Sequence, residues 1–171
     1  IYPIVRRILL GGYMKIRNAS LIRFKETVLY NFSYSDIYFK IFLNPKNGFI
    51  DNEIFWKGVY EEEFLDFLKK ELIDTDTYID IGANIGQHAL FASSLVRKGY
   101  VYAFEPNLSV YEQLIMSIDA NPDIKNIKVY NVGLGSEKKT EKLFINTENI
   151  GGSSLLEYKD TMDKVFIEIE K

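Results

Sequence analysis

The chain has 171 residues, 47% apolar and 26% charged, with a net charge of −3 at pH 7 and no cysteine. These values suit one globular domain with a sizeable core. They exclude disulfides and thiolate metal sites, and they give no global pull toward nucleic acid. The charge is uneven: residues 1–60 carry nine Lys/Arg against four Asp/Glu, and residues 61–171 carry twelve against twenty. The basic residues are interleaved with apolar ones, the pattern of solvated side chains.

Residues 2–10 (YPIVRRILL) read as a short amphipathic helix stopped by Gly11-Gly12. No apolar run approaches the roughly 20 residues of a membrane span, and the N-terminal run lacks a small-residue cleavage site. The absence of cysteine fits a cytoplasmic enzyme. Residues 21–43 are rich in Phe, Tyr, Ile, Leu and Val, and TVLYNFSYSDIYFKIFL reads as two strands around a Ser-Tyr-Ser-Asp turn. Asn44 to Gly48 is a turn cluster. Residues 60–72 read as a helix with Phe64, Leu65, Leu68 and Leu72 on one face. Its acids lie first and its lysines last, which complements the helix dipole.

From residue 77 the pattern becomes strand–helix alternation: TYIDI (77–81), a helix from Ile85 to Val96, YVYAF (100–104), a helix from Val110 to Ala120, and IKVYNV (127–132). Strands alternating with helices of this length imply βαβ units and a parallel sheet, hence an α/β fold. EKLFIN (141–146) and KVFIEIE (164–170) read as an antiparallel addition. The division expected is an N-terminal helix and β-rich extension over 1–57, then an α/β domain over 58–171. The chain begins at Ile1 rather than Met and stops within an expected strand, so a longer native protein is expected.

The first strand of the alternating part runs into Asp80-Ile81-Gly82-Ala83-Asn84-Ile85-Gly86, and a helix follows. Open α/β sheets bind ligands outside the C-terminal ends of their strands. Gly82 permits a sharp turn and close backbone approach, Gly86 lets the helix start pack close to the strand, and free amides at the helix start suit a carboxylate or phosphate. The spacing is not the G-x-G-x-x-G of dinucleotide sites. Asp80 would repel a pyrophosphate and suits a ligand with a cationic amine, such as the methionine part of S-adenosylmethionine. The second strand ends in Glu105-Pro106-Asn107. Glu105 lies 23 positions after Gly82, where a carboxylate accepts from ribose hydroxyls and Pro106 fixes the turn. The third strand ends in Asn131-Val132-Gly133, an edge that faces the base in such folds. Asn131 either bonds a base nitrogen or caps the turn. His88 is the single histidine, and its ordinary reading is a packed or exposed helix residue. No metal cluster is visible.

These segments resemble the FkbM methyltransferase family. YIDIGANIGQHALFAS is similar to its glycine loop and helix, VYAFEPN to its second strand and acidic end, and VYNVGLGSEKKTEKLFIN to its third strand and following hairpin. NIGGSSL (149–155) resembles its glycine-serine loop, and GVYEEEFLDFL (58–68) its entry helix. The likeness covers about residues 58–155, and Gly133 stands where the family usually has Ala. It implies a Rossmann-like class I methyltransferase sheet, partial here, with a parallel βαβ core and added antiparallel strands. It implies S-adenosylmethionine as cofactor, held by Asp80, Gly82, Ala83, Asn84, Gly86, Glu105, Pro106, Asn107, Asn131 and Gly133. The acceptor implied is a hydroxyl on a small molecule or glycan, with Ser153 and Ser154 lining its pocket and Glu61 as the acid near the chemistry. The family continues with a strand, roughly Lys-Ile-Asp-x-Glu-Gly, that would pair beside TYIDI. No nucleic-acid partner is expected, and a homo-oligomer is compatible with the sequence. The rivals are a nicotinamide-dependent oxidoreductase and a catalytically silent scaffold.

Overall fold

The computed structural model describes residues 19–24, 27–46, 48–145, 155 and 163–171. The expected helix over 2–10 lies outside them.

Three antiparallel strands come first: β1 (Ala19–Phe24), β2 (Thr27–Tyr34) and β3 (Ile37–Leu43), in the order β1-β2-β3. The two strands expected over 21–43 are β2 and β3. They turn at Ser35-Asp36, and Ser35 takes a left-handed φ of 54°. Alternation places Phe32, Ile37, Phe39, Ile41 and Leu43 in the core. Phe32 pairs with Phe39 across the strands, their rings stacked at 4.3 Å.

Helix α1 (Phe49–Lys57) follows. Its sequence has little apolar periodicity, so the pattern that marks an amphipathic helix is missing. It is held by the burial of Ile54 and Phe55, by a left-handed Gly58 whose amide bonds Ile54 O at 2.9 Å, and by Asp51. The buried Asp51 carboxylate accepts from Asn44 N (2.5 Å) and Gln113 Nε2 (2.7 Å), so one acid joins the turn before α1 to a helix 62 residues on. Helix α2 (Glu62–Glu71) buries Leu65 and Leu68 as its spacing predicts. Phe64 departs from that face: it is exposed, and its ring makes a T-shaped contact with His88 at 4.9 Å.

The alternating part contains β4 (Thr77–Ile81), α3 (Gln87–Leu95), β5 (Tyr100–Phe104), α4 (Leu108–Asp119) and β6 (Ile127–Tyr130). The three strands make a parallel sheet in the order β4-β5-β6, the core of a Rossmann-like α/β fold. Helix α3 is buried almost all round because its small residues, Ala89 and Ala92, let it lie against Val101 and Ala103. Strand β4 forms one edge of this sheet, the position where the family resemblance expects a further strand.

Helix α4 also serves the free edge of β3. Ser117 Oγ accepts from Phe42 N (2.9 Å), Gln113 Nε2 donates to Phe42 O (2.8 Å), and Asn121 takes both Lys40 N (2.8 Å) and Lys40 O (2.6 Å). Polar side chains thus satisfy backbone groups that a further strand would otherwise bond. Phe32, Phe39, Leu90, Phe91 and Val110 belong to one apolar cluster, so the hairpin and the alternating part share a core.

Strands β7 (Gly133–Leu134), β8 (Lys139–Ile145) and β9 (Asp163–Glu170) make a third sheet in the order β7-β9-β8. The expected antiparallel pair is β8 with β9, and its register runs from Lys139 opposite Ile169 to Ile145 opposite Asp163. These strands form a sheet of their own, with the short β7 parallel to β9.

Gly86 carries the tightest packing requirement at the start of α3. Its φ is +89°, and an added Cβ would lie 2.1 Å from Leu114 Cδ1 on α4. The close neighbour is therefore the second helix, and not the strand expected from sequence. Gly86→Ala combines left-handed strain with overpacking against a fully buried leucine, so about 2–4 kcal/mol of destabilisation is expected. Urea unfolding measures it; a loss under about 1 kcal/mol would mean that α3 and α4 separate freely.

Candidate active site at the ends of β4 and β5

The chain leaves β4 through five residues of which three are left-handed: Gly82 (φ 79°), Asn84 (φ 50°) and Gly86 (φ 89°). Glycine adopts this region without strain, and asparagine tolerates it best among the rest. At Gly82 an added Cβ would meet nothing within 4 Å, so the backbone there faces open space.

Every amide of this loop has a partner within the chain. Gly82 N and Ala83 N both donate to Phe104 O (2.9 and 3.0 Å), and Gly86 N donates to Ala83 O (2.9 Å). Asn84 N donates to Glu105 Oε2 (3.0 Å), and Ile85 N to Asn84 Oδ1 (2.9 Å). Of the amides expected free at the helix start, Ile85 N and Gly86 N are already engaged. The turn is built from its own residues and from β5.

Two carboxylates are buried against it, Asp80 at 8% exposure and Glu105 at 6%. Glu105 holds both loops: Oε1 accepts from Asn107 N at 2.8 Å, and Oε2 holds Asn84. Burial raises its carboxyl above the ordinary range, while the two backbone donors pull it down. Asp80 is pushed up to about 6, chiefly by burial and then by the Glu105 charge, with a backbone bond from Ala89 opposing. Its Oδ2 has no hydrogen-bond partner. Among the described residues the buried side-chain polar atoms without a partner are Asp80 Oδ2, His88 Nε2 and Asn107 Nδ2. Asp80 lies at the end of β4, His88 in the helix that follows it, and Asn107 just after β5. Native interiors rarely leave such groups unpaired, and sites awaiting a ligand are where they do.

Asn107 caps α4, its Oδ1 accepting from Ser109 N (3.2 Å) and Ser109 Oγ (2.9 Å). Asn131 resolves toward the turn, because its Nδ2 donates to Glu105 O (2.8 Å) and Pro106 O (3.1 Å) and so pins the second loop. Gly133 is packed rather than open: an added Cβ would lie 2.7 Å from Ile169 Cδ1. Ser153 and Ser154 lie outside the described residues.

A cleft of about 180 Å³ opens over the loop, lined by Gly82, Ala83, Asn84 and Ile85, with Gln87 and His88 of α3, Tyr60 and Glu61 before α2, and Ile50 of α1. The expected residues Glu61, Gly82, Ala83 and Asn84 meet there. Asp80, Gly86, Glu105, Pro106, Asn107, Asn131 and Gly133 do not line it. A larger groove of about 570 Å³ lies elsewhere, between the β2–β3 turn and the end of α3, and none of the expected site residues lines it.

Glu61 is a left-handed non-glycine residue (φ 51°). Its position is fixed by its neighbour, since Tyr60 N donates to Gln87 Oε1 (2.9 Å) and Gln87 Nε2 donates to Tyr60 O (2.7 Å). Sequence reasoning passed over Gln87. The only signal was a polar residue at the start of a helix that proves buried on nearly every side. His88 is a packed residue of α3, as its ordinary reading has it. Its ring stacks near Tyr60 at 6.1 Å, and its Nε2 is 3.5 Å from Glu61 Oε2.

The family model for the methyltransferase FkbM domain matches residues 80–170, more than half of the chain. The hexuronic acid methyltransferase AglP of Haloferax volcanii is 36% identical over 62 residues, which are 36% of this chain and 25% of that protein. The match thus spans about a quarter of the relative's length. An rRNA methylase from Streptococcus thermophilus is similar at TM-score 0.38 and 22% identity, over 42% of each chain. TYW2 of P. horikoshii, in complex with MeSAdo, is similar at TM-score 0.44 and 17% identity, over 77% of this chain and 46% of its own. With the family match spanning the glycine loop, Glu105 and the third sheet, the chain belongs to the FkbM methyltransferase domain family.

Proposed function

We propose that this chain carries the donor site of an S-adenosylmethionine-dependent O-methyltransferase whose acceptor is a hydroxyl of a sugar, glycan or related small molecule. One observation carries the reading beyond family membership: the buried Asp80 carboxylate keeps an unpaired oxygen at the end of β4. A lone buried acid is costly unless a cation or donor reaches it. Two buried acids, with Glu61 in the cleft, favour a cationic ligand and repel a pyrophosphate. The engaged amides of Gly82–Gly86 point the same way, because a dinucleotide needs them free.

The residues fit the donor. Asp80 meets its cationic amine. Glu105 spends one lone pair per oxygen on Asn107 N and Asn84 N, so each oxygen can accept once more, from ribose hydroxyls. Gly82 lets the ligand lie against bare backbone, with Ala83, Asn84 and Gly86 shaping the loop. Pro106, Asn107, Asn131 and Gly133 form the second and third strand ends toward the base, Asn131 by holding the Glu105–Pro106 carbonyls in place. Glu61 is assigned to the acceptor side, and Ser153 and Ser154, outside the described residues, are assigned to the acceptor from the family resemblance alone. When bound, the donor supplies an activated methyl group on sulfur. The protein then contributes alignment and electrostatics. The name of the AglP relative supports a sugar acceptor.

Calorimetric titration of the chain with S-adenosylmethionine, S-adenosylhomocysteine and NAD tests this. Binding of the first two and not the third is expected. Binding of NAD alone would replace this reading with an oxidoreductase, and binding of none would leave a scaffold.

A further inference from the structure

Of the three unpaired buried atoms, Asp80 Oδ2 and Asn107 Nδ2 flank the loops assigned to the donor, and the third, His88 Nε2, has no role there. The imidazole lines the cleft and is held on two sides, by Tyr60 at 6.1 Å and by Phe64 in a T-shaped contact at 4.9 Å. Its side chain is 18% exposed, against 47% for Glu61, whose Oε2 is 3.5 Å from Nε2. Glu61 itself is set in a left-handed conformation next to Tyr60, which Gln87 clamps through both of its backbone groups. Left-handed backbone at a non-glycine residue is maintained only where the surroundings enforce it. The His88 Nε2 is closed off and turned toward Glu61, which leaves Nδ1 as the ring nitrogen that is not shut away. An imidazole backed by a carboxylate at one nitrogen and open at the other is the arrangement of a base whose charged form is stabilised after it takes a proton.

We propose that His88 accepts the proton of the acceptor hydroxyl during methyl transfer and that Glu61 stabilises the resulting imidazolium. This rests on the methyltransferase reading above and assigns the roles on its acceptor side. The balance is direct. The acceptor oxygen forms its bond to the methyl carbon as the carbon–sulfur bond breaks, with that electron pair remaining on sulfur. The O–H bond gives its electron pair to oxygen and its proton to Nδ1, while Nε2–H faces Glu61. The positive charge lost at sulfur is gained by the imidazole, 3.5 Å from the Glu61 carboxylate, and the proton leaves past that half-exposed side chain. Burial keeps the imidazole below its ordinary range and therefore neutral and able to accept, while Glu61 pulls the other way. The other titratable groups at this place are the Tyr60 phenol, which burial holds neutral, and Asp80 at the end of β4.

The chain has a single histidine, so its imidazole Cε1–H resonance reports His88 directly and separates it from Asp80. Titrated by NMR, it is expected to show a midpoint below the ordinary value of about 6.5 and to move further down in Glu61→Gln. An ordinary midpoint that Glu61→Gln leaves unmoved would overturn the pair. Methyl transfer from S-adenosylmethionine to 4-nitrophenyl β-D-glucuronide gives the second readout. His88→Gln is expected to lower kcat by about 10²–10⁴-fold and to leave S-adenosylhomocysteine affinity within about two-fold. The low-pH limb of wild-type kcat/KM should follow the NMR midpoint. Unchanged kcat in His88→Gln overturns the proposal, as does loss of S-adenosylhomocysteine binding in that variant alone, which would place His88 on the donor. If wild type itself binds no S-adenosylhomocysteine, the donor reading fails, and the pair fails with it.

Discussion

Asp80→Asn is expected to lower affinity for S-adenosylmethionine by 100-fold or more and, in the unliganded chain, to raise the unfolding midpoint. Both effects have one cause. The carboxylate is buried, its Oδ2 has no partner, and its carboxyl is raised from 3.8 to about 6. A folded-state value above the unfolded one means that the folded chain binds more protons between roughly pH 4 and 6. The slope of stability with pH is then negative, so this group's contribution falls as pH rises through that window and levels off above it. At about 1.4 kcal/mol per unit, the charged carboxylate costs the unliganded fold roughly 3 kcal/mol at neutral pH. Asparagine keeps an oxygen for the Ala89 amide and removes the charge, and its own unpaired NH₂ takes back about 1–2 kcal/mol. A net gain of about 1–2 kcal/mol, seen as a few degrees in Tm, is expected. Donor affinity runs in the opposite sense: in wild type it should rise with pH through about 6, as the carboxylate that meets the cation forms, and in Asp80→Asn it should be flat. Calorimetry from pH 5 to 8 with both proteins measures this. Wild-type affinity in the variant would remove Asp80 from the site.

The parallel unit was legible because its signals are local. Alternating apolar residues gave β4, β5 and β6, Gly82 and Gly86 marked the turn, and Glu105 fell at the end of the second strand. Helix α1 was not legible, since it is held by Asp51 reaching Asn44 and Gln113, contacts no window of its sequence records. Strand β7 was missed for a similar reason: two residues pair with β9 across more than thirty positions. At the site, the residue types were readable and the bonding was not. Asp80 and Glu105 stood out as acids at strand ends, but nothing in the sequence shows that Glu105 holds two loops or that the loop amides are already engaged. Those depend on three left-handed residues in five, of which only the two glycines are marked by residue type. His88 looked like an ordinary helix residue because the groups that single it out, Glu61, Tyr60 and Gln87, come from a different element or act through it.

Glu105→Ala is expected to be the most damaging single change in the site, and Glu105→Gln a partial version of it. Alanine leaves Asn84 N and Asn107 N without their acceptors in a region that is almost closed to water. At about 1–3 kcal/mol for each unsatisfied amide, the loss is about 2–6 kcal/mol. It falls where the left-handed Asn84 has least else to hold it, so donor binding should fall below detection. Glutamine keeps the shape and one acceptor oxygen and turns an NH₂ toward the other amide. About 1–3 kcal/mol of destabilisation and a weakening of donor affinity of roughly 10–100-fold are expected. Glutamine also removes the charge that helps raise the Asp80 carboxyl, so in Glu105→Gln the pH at which Asp80 titrates should move down. The double variant Asp80→Asn/Glu105→Gln separates these contributions. If the two acids act only through their own bonds, the stability changes add. Repulsion between the acids means that the gain from Asp80→Asn is smaller once Glu105 is already neutral, and a denaturation cycle over the four proteins reads that difference. Additivity within a few tenths of a kcal/mol would show that burial alone raises Asp80. In that case the two carboxylates are independent anchors, one set by its unpaired oxygen toward the ligand and the other by the two loops it holds together.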